Sequence, residues 1–150
     1  MSKRLEGKRV VVTQASTFMG PAITEVFAEE GAVLVADDRD LTQRDAAQNL
    51  IDEAGHVDVL IANLAAVPPW NSVAPHNVQV NAVAQSLVEN PSYFTPEYIE
   101  TPEFKERLKS VPAGRLATAR EDALFVLFLA GDESDFFVGQ IFPFAGGWAT

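Results

Sequence analysis

The chain has 150 residues, 47% hydrophobic and 21% charged, a balance that fits one globular domain and excludes a disordered segment. Its net charge of −10 repels phosphate backbones and anionic lipid, so neither nucleic acid nor a membrane is an expected partner, and any bound anion must be held by local amides. With no cysteine, disulfides, thiolate chemistry and sulfur-ligated metals are excluded. His56 and His76 lack metal-ligand spacing and read as solvated loop residues, so no metal site is expected. No apolar run is long enough to span a membrane, and none follows Lys3 and Arg4 as a signal-peptide core; the expected location is cytoplasmic.

Lys8 to Thr13, with Val10-Val11-Val12, predicts a buried first strand. Thr13-Gln14-Ala15-Ser16-Thr17-Phe18-Met19-Gly20 then forms the turn into a helix whose apolar face is Ile23, Val26, Phe27 and Ala28 and whose end is set by Gly31. A dinucleotide-binding turn at this place needs glycines, because the backbone must bend tightly and approach a pyrophosphate. Two of the three expected glycines are Gln14 and Phe18, which argues against a dinucleotide. Gly20 remains, and close helix-on-strand packing suffices to explain it. The turn is either eroded and without ligand or rebuilt around a smaller pocket.

Ala32 to Ala36 predict a second strand closing in Asp37-Asp38. An acid here binds the adenosine ribose in dinucleotide enzymes, but it also suits a surface turn, and beside the altered glycine turn a structural role is favoured for Asp37. Thr42 is the expected cap of a helix carrying Ala46, Ala47, Leu50 and Ile51 and stopping at Gly55. Val57 to Ala62 predict a third strand, followed by Asn63, which serves either as a structural hydrogen-bonding group or as a ligand contact. Pro68, Pro69, Trp70 and Pro75 exclude a helix between residues 67 and 77.

A further strand is expected over Val78 to Ala84. Thr95-Pro96 and Thr101-Pro102 each place a cap before a proline at the first helical position, and the helix over 102–110 presents Phe104 and Leu108 inward. Thr118 and Glu121 make a capping box for a helix apolar nearly all round, which must be covered on more than one side. Val138 to Phe144 complete the strands before Gly146-Gly147-Trp148. The alternation of strands and helices predicts an α/β fold with a mostly parallel sheet of about five strands and helices on both faces.

The turn resembles that of the short-chain dehydrogenase/reductase superfamily, and Thr13, Phe18 and Gly20 match the T-x4-[FY]-x-G form of its halohydrin dehalogenases, in which a halide pocket replaces the nicotinamide site. Asn90-Pro91-Ser92-Tyr93-Phe94 resembles the dehalogenases' substrate-side Asn-Pro-Thr-Tyr-Phe segment, and Gly114-Arg115-Leu116, Gly139-Gln140 and Ala145-Gly146-Gly147 match further elements. The resemblance implies a Rossmann-like three-layer sandwich. It also implies a cofactor or halide pocket at Thr13, Gln14, Ser16, Phe18, Met19, Gly20, Asp37, Asn63 and Gln85, with Asn90, Pro91, Tyr93 and Phe94 on the substrate side.

The superfamily's catalytic Ser and its Tyr followed four positions later by Lys, or by Arg in the dehalogenases, have no counterpart: Tyr93 is followed by Glu97 and Tyr98 by Pro102. Asn63 resembles the end of the family's fourth strand, whereas Ala74 to Asn81 resemble the approach to its sixth. The helix–strand–helix unit between them is therefore expected to be missing, leaving one shortened domain over 1–150 with a seam at 67–77. Eleven residues reach roughly 36 Å at ~3.3 Å each, enough to return along a strand, but no helix then covers the sheet beside the seam.

Three functions follow from the resemblance. The chain is a dehalogenase-like scaffold without catalysis, or an enzyme using another base among Asp37, Asp38, Tyr93 and Glu97, or a noncatalytic subunit that joins an intact paralogue. The expected ligand is a small molecule or halide, without cofactor; NAD(P) is the cofactor if an ordinary oxidoreductase is right. The resemblance implies a homodimer interface at the helix over 118–130 and the strand over 138–144.

Overall fold

The computed structural model describes residues 3–63 and 78–148. The expected seam at 67–77, with Trp70 and His76, lies outside the described residues. The chain divides into two compact units, residues 1–66 and 67–150.

The first unit is built on β1 (Arg9–Thr13), α1 (Gly20–Glu29), β2 (Val33–Asp37), α2 (Ala46–Ala54) and β3 (Val59–Ile61). β1 is central and pairs in parallel with both neighbours, in the order β2-β1-β3. Its valines have no competing polar group, and Val10, Val11 and Val12 are all buried. Ile23, Val26 and Phe27 of the expected face of α1 are buried, whereas Ala28 is exposed, and the chain leaves the helix through Gly31 at φ +86, a conformation that glycine adopts without penalty. Leu50 and Ala54 of α2 pack on Val11.

The expected cap of α2 is displaced. Asp45, at φ 65, stands before the helix, whereas the Thr42 hydroxyl donates 2.6 Å to Asp40. Asp40 also accepts the Thr42 N–H, so the threonine is held in a local turn rather than at the helix start.

The second unit carries β4 (Ala82–Gln85), α3 (Pro96–Ile99), α4 (Pro102–Leu108), α5 (Ala119–Ala130), a 3-10 turn over Asp132–Ser134 and β5 (Ile141–Phe144). β4 and β5 pair in parallel. Residues 78–81 are not part of the strand; Asn81 instead bonds its side chain to the Phe137 carbonyl (2.7 Å) and to the Gln140 N–H (3.1 Å). Thr95 and Thr101 accept the N–H groups of Tyr98 and Phe104, and both halves of the Thr118–Glu121 capping box are present. Phe104, 1% exposed, anchors a cluster with Leu87 and Val111, while Leu108 packs at its margin.

The fold is α/β, and among the described residues every strand pairing is parallel and five strands are present, against about five expected from the sequence. Among the described residues these strands form two hydrogen-bonded sheets, of three and two strands, rather than one. Among the described residues β3 pairs with β1 alone, and Leu60 on it is 59% exposed.

Candidate functional site

The turn between β1 and α1 keeps a glycine-type path without the glycines. Gln14 and Phe18 both stand at φ 49, in the left-handed region where an L side chain crowds its own backbone. Gly20 is required for a different reason: a Cβ on it would lie 2.5 Å from the carbonyl oxygens of Gln14 and Ala15. Substitution would therefore push α1 away from the turn. Met19, at the helix start, is buried, whereas the Phe18 side chain is 45% exposed.

Long-range hydrogen bonds hold this path. Asn63 donates from Nδ2 to the carbonyls of Gln14 (3.1 Å) and Thr17 (3.0 Å), and its own N–H donates to Thr13 Oγ1 (3.1 Å). Both side-chain amide hydrogens are thus used inside the protein, on the turn itself. The Ala15 N–H donates to the Asp37 carbonyl, which ties the turn to the end of β2.

The two acids at that strand end are also engaged. Asp37, 7% exposed, receives Arg39 Nε on Oδ1 at 2.5 Å and the Arg39 N–H on Oδ2 at 3.3 Å. Arg39 extends the network to Glu53 through Nη2 at 2.7 Å, and this carboxylate, with Asp37, pushes the guanidinium pKa upward. Asp38 accepts both the Ser16 N–H (2.8 Å) and the Ser16 hydroxyl, and these bonds lower its pKa. The i,i+2 spacing of Asp37 and Arg39 is readable in the sequence, but nothing local signals that the pair would close.

In the second unit, Gln85 donates from Nε2 to Oδ2 of Asp122 at 2.7 Å. Asp122 is fully buried on α5, and burial raises its pKa. Sequence reasoning missed this residue because a capping box beside an apolar helix leads to the expectation that acids in its first turn face solvent. Asn90 is 7% exposed and organises its own loop, its Oδ1 accepting the Ser92 N–H while its carbonyl receives those of Tyr93 and Phe94. Phe94 packs on Phe104 with ring centroids 5.7 Å apart, and Tyr93 is 62% exposed. Pro91 begins the exposed part of the loop.

The structure thus brings together Thr13, Gln14, Ser16, Asp37 and Asn63 within the first unit, whereas Gln85 and the loop at 90–94 belong to the second. Of the alternative bases, Asp38 is held below its usual range by Ser16, and Glu97 is likewise lowered by its own N–H at the helix start and by Thr95. A carboxylate stabilised in its ionised form is a poorer proton acceptor. Among the described residues no group of His, Asp or Glu could hold a metal ion, and no helix is long and apolar enough to cross a membrane.

Residues 71–149, more than half of the chain, match the protein family described as enoyl-(acyl carrier protein) reductase. The chain belongs to this family, within the short-chain dehydrogenase/reductase superfamily. Among relatives of this short-chain dehydrogenase/reductase chain, the 3-oxoacyl-(acyl-carrier-protein) reductase FabG of Thermotoga maritima is 22% identical, with 96% of this chain and 98% of the relative covered. A solved structure described as a dehalogenation enzyme superposes with a TM-score of 0.79 at 18% identity, covering 97% of this chain and 100% of that one. L-sorbose reductase from Gluconobacter frateurii, solved with NADPH and L-sorbose, gives a TM-score of 0.73 at 19% identity, with both chains covered completely. These likenesses establish the Rossmann-like fold of the superfamily for this chain.

Proposed function

We propose that this short-chain dehydrogenase/reductase chain is halohydrin dehalogenase-like, lacks the helix–strand–helix unit that carries catalysis, and has no turnover by itself. The turn carries the reading: Gln14 and Phe18 occupy two left-handed positions that a dinucleotide-binding turn gives to glycine. Two further facts support it. Neither tyrosine is followed four positions later by Lys or Arg. The alignment with the Thermotoga reductase runs over 245 positions against the 150 residues present here, which favours a reading in which part of that relative has no counterpart.

In the intact family the tyrosine takes the proton of a vicinal haloalcohol, and the resulting alkoxide displaces halide to close an epoxide. The first unit keeps Thr13, Gln14, Ser16, Phe18, Met19, Gly20, Asp37 and Asn63, and the second keeps Gln85, Asn90, Pro91, Tyr93 and Phe94, residues that the resemblance assigns to the surroundings of such a site, but neither unit keeps a residue for the proton transfer. The one-domain reading with a seam at 67–77 belongs to the same proposal, as does a cytoplasmic protein that binds a halide or small molecule. Leu124, 41% exposed, and Ile141, 57% exposed, suit a homodimer through the 118–130 and 138–144 segments.

Halide release from 1,3-dichloro-2-propanol should stay at background, and turnover abolished by replacing Asp37, Asp38, Tyr93 or Glu97 would overturn the proposal in favour of another base. A second reading, an NAD(P)-dependent oxidoreductase relative, is favoured by the reductase description of the matched family and by the Thermotoga relative. Saturable binding of NADH or NADPH would select it. Light scattering should give a dimer at most.

A further inference from the structure

The turn and the end of β2 are neighbours, with Thr13 in register with Asp37 and the Ala15 N–H on the Asp37 carbonyl. In α/β nucleotide sites this junction receives the adenosine half of the ligand, the strand-end acid taking the ribose hydroxyls and the turn amides lying close to phosphate. Such reception needs free carboxylate lone pairs and open N–H groups.

Here the chain supplies its own partners. Both Asp38 oxygens lie on Ser16, one on its N–H and one on its hydroxyl. Both Asp37 oxygens lie on Arg39, whose remaining nitrogens are held by Glu53 at 2.7 and 3.4 Å. Beside them is an open hollow lined by Ala15, Ser16, Pro21, Thr24, Glu25 and Ala36. Glu25 gives this lining a carboxylate of its own, and a like charge disfavours a phosphate.

We infer that Asp38 closed on Ser16 and Arg39 closed on Asp37 form an internal plug that excludes the adenosine half of a nucleotide, independently of the side chains at Gln14 and Phe18. The inference rests on the reading that this chain uses no dinucleotide. It locates the exclusion in two residues outside the glycine positions. A ligand entering this junction must break the Ser16 hydrogen bonds to the Asp38 carboxylate on one side and the Arg39–Asp37 ion pair on the other before gaining a contact, and Arg39 is anchored at both ends.

The test is calorimetric titration of the full chain with AMP, which probes the adenosine half without reaching for the nicotinamide side, alongside NADH. The unaltered chain should show no saturable binding of either. The double variant Asp38→Ala/Arg39→Ala should bind AMP, with a gain of at least about tenfold in affinity. Ser16→Ala, which removes the hydroxyl bond to Asp38 but leaves the N–H bond and the charge, should remain inert. If the double variant melts at a much lower temperature or loses its circular dichroism, Asp38→Asn/Arg39→Gln, which keeps shape and removes both charges, is titrated in its place and should gain in the same direction.

A flat AMP titration in a folded variant, with the unaltered chain also inert to NADH, overturns the plug and leaves the function reading intact. Saturable binding of NADH or AMP to the unaltered chain overturns both.

Discussion

Gln85 Nε2 lies 2.7 Å from Oδ2 of Asp122, while Oδ1 of that fully buried carboxylate has no hydrogen-bond partner among the described residues. One oxygen is satisfied by an exposed side chain and the other by nothing among the described residues. Burial therefore outweighs the Gln85 bond, and the pKa rises.

The sign of the pH dependence follows from that rise. Below the ordinary carboxylate range Asp122 is protonated in the folded and unfolded states alike, and no penalty exists; as pH rises towards the elevated folded value, the unfolded chain releases its proton first and stability is lost. Asp122→Val, close in shape and without the orphan oxygen, should stabilise by about 1–3 kcal/mol at pH 7. Much less should remain at pH 3. Urea denaturation of both proteins at both pH values measures the difference, and an equal effect at the two would contradict an elevated pKa.

The turn stores strain at Gln14. A left-handed conformation costs an L residue about 1–2 kcal/mol, partly offset by the extra freedom glycine has when unfolded. Gln14→Gly is expected to raise stability by about 0.5–1 kcal/mol. Gln14→Val should lower it, because a β-branched residue is worse still at φ 49. A loss on replacement by glycine would mean that side-chain contacts of Gln14 outweigh the strain.

Asn63 fixes the same turn from the opposite side. Asn63→Ala removes two donors from the carbonyls of Gln14 and Thr17 and should destabilise by about 1–3 kcal/mol. Asn63→Asp should be more damaging, since a carboxylate would face those two carbonyl oxygens. Thermal melts of the two variants give the order, and equal melting temperatures would count against the geometry.

The capping box supplies a dependence opposite to that of Asp122. Arg115 and the Thr118 N–H hold the Glu121 pKa down to about 2. Its contribution is therefore present above the ordinary carboxylate range and disappears as pH falls through about 2. Thr118→Ala should destabilise by about 0.5–2 kcal/mol at neutral pH, read from helical circular dichroism during denaturation. Glu121→Gln should flatten the acid limb of the stability profile.

Gln14 and Phe18 mark the turn as altered in the sequence itself, and the capping threonines at 95, 101 and 118 announce their helices, because each signal lies within a few residues of its effect. The valines of β1 likewise declare a buried strand through composition alone. Thr42 shows where local reading stops: a threonine before a helix can cap it or turn on a nearby aspartate, and Asp40 decided the outcome.

The sequence by itself determined the order of strands and helices, the acidic charge, the lack of sulfur chemistry and the substitution of two turn glycines. Only tertiary structure decided that Asn63 spends its amide on carbonyls 46 and 49 residues away, that Asp38 closes on Ser16, and that Asp122 is buried beneath Gln85. It also decided that the strands of the described residues pair as three and two. Periodicity and caps are set by neighbours along the chain, whereas these partners meet only when separate strands return side by side, and the energy of each pairing depends on the burial that this return creates.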